Sequence, residues 1–181
     1  MRTLLAALIV LALPVTAHEL SDSFDVFGEM AVTLDGTEMV LPIALDLNSN
    51  ASQAEIRPLY GKLRMLSVSG VTATDAGGWD APIINLIIQI GGFGQGTLMH
   101  IMLSEKGQNK NKQTVANMEF GSMDLPEFSI SEDGTVEFRF SAELVRTVLD
   151  SAYNQTLEEG QPPVKVIGTV SMIIPEAYRV K

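Results

Sequence analysis

Residues 24–47 read FDVFGEMAVTLDGTEMVLPIALDL, and the fold is decided by how this stretch turns back on itself. Phe24, Val26, Met30, Val32 and Leu34 alternate with Asp25, Glu29 and Thr33, the period of a strand with one buried face. Asp35-Gly36 follows, a dipeptide favoured in two-residue hairpin turns because both positions need positive φ. Met39, Leu41, Ile43, Leu45 and Leu47 then alternate along a second strand. A two-residue turn sets Val32 opposite Met39, Met30 opposite Leu41, Val26 opposite Leu45 and Phe24 opposite Leu47. All four apolar pairs share one face, and a slip of one residue would break them all. The same register makes Asp25 face Asp46. Pro42 has no N–H to give a ladder, which predicts a sheet edge there.

Working outward, residues 128–138 offer a second hairpin with different turn chemistry. A two-residue loop at Asp133-Gly134 would set Phe128 and Ile130 against Arg139 and Glu137. A three-residue loop, Glu132-Asp133-Gly134, pairs Ile130 with Val136, Phe128 with Phe138 and Glu127 with Arg139 instead, so it is the expected one. Strands are also expected at 63–72, 97–103, 115–120 and 164–174, with a polar loop at 104–114. Residues 83–90 are nearly all apolar, as in a central strand covered on both faces. One amphipathic helix is expected near the C-terminus, capped by Ser141, with Val145, Val148, Leu149 and Ala152 at helical spacing before Gly160 and Pro162-Pro163. Val26-Phe-Gly28-Glu-Met30 matches Val166-Ile-Gly168-Thr-Val170 in phase, as expected of two neighbouring strands that each need a small residue at a close approach. About nine strands with regular turns give an all-β class, an antiparallel sandwich or barrel in one domain, residues 18–181.

Residues 1–17 have the layout of a cleavable export signal. Arg2 supplies the positive start, Leu4 to Leu13 an apolar run of ten, and Val15-Thr16-Ala17 the small residues at a cleavage site. The run is shorter than the roughly 20 residues that span a bilayer, so no integral membrane segment is expected after cleavage and a periplasmic location is. Removing 17 of 181 residues leaves 164 and takes Arg2 with it, so 11 basic residues face 22 acidic ones, a net charge of −11. That surface repels phosphate backbones and anionic lipid headgroups, and nucleic acid is an improbable partner. The chain has no cysteine, hence no disulfide and no thiol chemistry.

Few residues offer catalysis. There are two histidines in the chain, no serine stands in a G-x-S-x-G elbow, and His18-Glu19 is not followed by the remainder of an H-E-x-x-H. The expectation is a protein without enzymatic activity. Gly91-Gly92-Phe93-Gly94-Gln95-Gly96 is not a phosphate loop, because Thr97 stands at the last glycine position and a strand follows. It reads as a flexible hairpin loop whose tip, Phe93, is a candidate partner contact. Trp79, in the turn Gly77-Gly78-Trp79, is a second candidate.

Two readings of function follow. The first is a binding or interaction domain, whose partner is another exported protein or a small apolar ligand. The order of eight strands, a helix and a final strand is similar to the lipocalin layout, which implies an apolar ligand inside a barrel. Val26-Phe27-Gly28 stands where lipocalins carry G-x-W. The second reading is copper binding. Cleavage after Ala17 makes His18 the first residue, whose α-amine and imidazole can chelate Cu(II). His100 supplies a further imidazole, and Met102, on the same face, a thioether for Cu(I). This set resembles the histidine brace of copper-dependent polysaccharide monooxygenases and of some periplasmic copper carriers, which implies His18, His100 and Met102 as ligands.

Overall fold

Asp35 and Gly36 take φ of 46° and 85°, the backbone that a two-residue hairpin turn demands. They join β1 (Phe24–Leu34) to β2 (Thr37–Asp46), and Val32 meets Met39 and Met30 meets Leu41 as the alternation requires. The structure, a computed structural model, describes residues 20–74, 76–152 and 154–179. Residues 1–17, read as an export signal, and His18 lie outside the described residues.

Beyond Gly28 the register departs from expectation. Phe27 is an extra residue in β1, so Val26 meets Ala44 rather than Leu45, and Phe24 meets Asp46 rather than Leu47. The bulge also takes Asp25 away from Asp46. Gly28 follows the bulge at a close approach, for a Cβ there would lie 2.2 Å from the Cβ of Met172. Gly168 is equally confined, since its Cβ would lie 2.7 Å from the Phe140 ring and 2.8 Å from Val32. The two glycine-centred segments are thus neighbouring antiparallel strands, each with a side chain pressed over its glycine.

The remaining strands are β3 (Ala51–Ser52), β4 (Ala54–Pro58), β5 (Arg64–Ala73), β6 (Trp79–Ile90), β7 (Gly96–Ser104), β8 (Lys112–Asn117), β9 (Ser122–Ile130), β10 (Thr135–Leu149), β11 (Gln155–Leu157) and β12 (Val164–Ile173). A single 3₁₀ turn, Glu176–Tyr178, follows. The 12 strands run in the order β3-β2-β1-β12-β10-β8-β7-β6-β5-β4, with β9 and β11 also paired to β10. Every pairing is antiparallel.

The sheet is not closed. Its two ends, β3 and β4, are consecutive in the chain and meet at Gln53. The Gln53 N–H donates to Ala44 O at 3.0 Å, and its carbonyl accepts from Ser69 N–H at 2.7 Å, tying β2 to β5. β3 covers only Leu45 and Asp46 of β2, which leaves Pro42 on a free edge as expected.

The expected helix does not form. Residues 141–149 continue β10, which pairs with β9 and β12 through its first part and with β8 and β11 through its last. The physical reason is that Val136, Phe138, Phe140, Ala142 and Leu144 are all buried at a spacing of two. This alternation carries the strand past Ser141, and the β-branched Val145, Thr147 and Val148 suit its extension. Tertiary pairing outweighs a helical spacing carried by four residues. The three-residue loop of the second hairpin forms as expected, with Gly134 at φ 86° and Phe128 opposite Phe138.

Ile84, Leu86, Ile88 and Ile90 of β6 are buried on one face, whereas Ile83 and Ile87 on the other are partly exposed. The core is one apolar cluster, reaching from Met30, Leu41 and Ile43 through these isoleucines to Phe140, Leu144 and Val166. Gly70 admits Leu41 and Met30 so closely that a Cβ would sit 2.9 Å from Leu41. β2 and β5 therefore pack face to face with little space between them.

Candidate interaction surface

The β6–β7 connection is a closed turn rather than a loose loop. Gly91 N–H donates to Gln95 O at 2.9 Å and Gly94 N–H to Gly91 O at 3.0 Å, with Gly94 at φ 86°. Glycine is the residue that adopts this conformation without strain. The turn holds Phe93 away from the protein, 98% exposed.

The neighbouring β4–β5 turn is built in the same way. Leu59 N–H donates to Leu63 O at 2.9 Å, Leu63 N–H to Tyr60 O at 3.2 Å, and Gly61 takes φ 65°. Tyr60 at its tip is 91% exposed, beside Leu59 at 45%. The two turns adjoin because Arg64 pairs with Ile90 at the foot of both. A Cβ added to Gly92 would lie 3.4 Å from the Cβ of Lys62. Phe93, Tyr60 and Leu59 thus project from one end of the molecule on two hydrogen-bonded turns. Tyr60 and Leu59 were missed in the sequence. The Pro58-Leu-Tyr-Gly61 turn that carries them was the available signal.

Trp79 is half exposed, but it opens β6 whereas Phe93 lies just past the end of that strand. The strand is 12 residues long, on the order of 35 Å at the usual rise. The two aromatic candidates therefore belong to different surfaces. Beside Trp79, Asp80 receives Lys106 Nζ at 2.7 Å and the Ala81 N–H at 2.8 Å. The bond from Lys106, then that from Ala81, lowers its pKa below the ordinary carboxylate value.

His100 and Met102 lie two apart on β7, the half-exposed side chains flanking buried Ile101. His100 faces Ile87 on β6 and Asn117 on β8, and Met102 faces Asn85 and Val115. Burial holds the His100 pKa below its ordinary value, favouring the neutral ring. His18 lies outside the described residues. The nearest described anchor is Ser21, whose N–H bonds Gly77 O at 2.8 Å beyond the Ala73 end of β5. The row holding His100 crosses β5 at Ser67, six residues from that end, about 20 Å by strand rise. Among the described residues no three His, Asp or Glu side chains gather as a metal group.

A polar groove lies at the β7–β8 loop, lined by Glu105, Gln108, Lys112, Gln113, Arg146 and Glu158. Its cations are neutralised locally, Lys112 by Glu158 at 2.5 Å and Arg146 by Glu105 at 3.7 Å. A shallow apolar groove crosses the outer face of β1, β2 and β12, where Val40 and Ile167 are exposed. No protein-family model matches the chain, and no curated protein is significantly similar to it.

Proposed function

We propose that this chain is an exported, non-catalytic binding domain that engages its partner through the end bearing Leu59, Tyr60 and Phe93. Export rests on the reading of residues 1–17 and gives a periplasmic protein. One observation carries the binding end: two large aromatic side chains stand almost fully in water on adjacent turns that are each closed by hydrogen bonds. Aromatic groups are the commonest anchors of binding surfaces. Holding them in fixed turns limits the ordering that association would otherwise cost.

An apolar ligand within the sheet is less favoured, because large apolar side chains fill the interior positions. The copper reading keeps two of its ligands, His100 and Met102, on one face. Nothing in the described geometry draws the amino-terminal anchor at Gly77 toward them.

The test is a photo-reactive residue at position 93 or at position 79 in the exported protein, irradiated in cells. Adducts from position 93 that fade when Tyr60 is also replaced by Ser support the reading. Adducts from position 79 alone contradict it.

A further inference from the structure

Building on the reading that the Tyr60–Phe93 end is where the chain binds, we infer that its partner is the surface of an anionic lipid bilayer. Charge is the first argument. The chain holds 22 acidic residues against 12 basic ones, yet residues 56–74 contain Arg57, Lys62 and Arg64 and no acid. Residues 81–104, which carry the Phe93 turn, contain no charged residue at all. Arg57 is paired with Glu55 at 2.6 Å. Lys62 is exposed within the Tyr60 turn, and Arg64 stands at its foot. An otherwise acidic molecule therefore offers cations beside its most exposed aromatic groups.

Shape is the second argument. Phe93, Tyr60 and Leu59 crown two tight turns that project outward, whereas a stable protein–protein interface covers roughly 800 Å² on each partner. A bilayer interface needs no matching pocket. It takes aromatic rings at headgroup depth, and its affinity grows with the apolar area inserted and with attraction to anionic lipid. Acidic groups farther than about 8–10 Å from the headgroups are screened at physiological salt, while cations at the tip act at contact.

The experiment is co-sedimentation of the exported protein with vesicles of phosphatidylcholine alone or with about 30% phosphatidylglycerol. Binding is expected only to the anionic vesicles, weakening as salt is raised. Tyr60→Ser with Phe93→Ser should reduce it about tenfold, and Lys62→Glu with Arg64→Glu should abolish it. In a Trp79→Phe, Phe93→Trp variant, emission should shift to the blue on anionic vesicles, whereas Trp79 of the native protein should not respond. No sedimentation with anionic vesicles, equal binding to neutral ones, or unchanged binding by either double variant would overturn the inference. If vesicle binding fails but position 93 still cross-links to a protein, the binding-end reading stands and only the lipid assignment falls. If both fail, both fall.

Discussion

At the residue scale, His100 and Asp133 differ in what sets their protonation, and each gives a pH prediction. His100 is partly buried, and desolvation lowers its pKa below 6.5. A depressed folded pKa means full stability above the unfolded value, lost as pH falls toward the folded one. Urea midpoints of the native protein should therefore fall between pH 7 and pH 5, and His100→Gln should flatten that segment. Asp133 sits at about 2, held down first by the Ser131 hydroxyl and then by the Thr135 N–H. Its contribution should persist above the ordinary value of 3.8 and fade as pH drops toward 2. Thermal melts of Asp133→Asn should lose that acid dependence and lie a few degrees lower at pH 7. The sequence marked Asp133 as a turn residue, but not its bond to Ser131, because the closing geometry of a three-residue loop fixes that contact.

At the element scale, the turns and nearest pairs were legible, and the failures have a common cause. Asp35-Gly36 and Glu132-Asp133-Gly134 dictate their own geometry, so Val32–Met39 and Phe128–Phe138 could be paired from local chemistry alone. The Phe27 bulge could not, because it lies beside the place where Met172, distant in sequence, is pressed over Gly28. Nor could the last third of β10, whose strand state depends on pairing with β8 and β11. Phe140 lies under β12 against Gly168 and Phe138. Phe140→Ala should cost about 4 kcal/mol by urea denaturation, the usual range for emptying a buried aromatic site. Gly168→Val should cost about 2 kcal/mol by overpacking the same place. Similar stability for Gly168→Val and the native protein would mean that β10 and β12 do not lie as described.

At the scale of the whole molecule, alternation gave the all-β antiparallel class, but not the order of strands. Nothing local says that β10 serves both parts of the sheet, or that Gln53 ties β2 to β5. For the proposed binding surface, Phe93 was legible as a loop tip. Its neighbour Tyr60 became evident only once Arg64 and Ile90 brought the two turns side by side. Trp79 separated from Phe93 for the complementary reason, since one long strand lies between them. The Tyr60–Phe93 end, as proposed, is a surface for binding rather than a support of the fold. The direct measurement sets the thermal midpoint of Tyr60→Ser, Phe93→Ser beside its cross-linking and vesicle binding. An unchanged midpoint with binding lost is the predicted result. Full binding by a folded double variant, or a protein that unfolds once these exposed rings are removed, would contradict it.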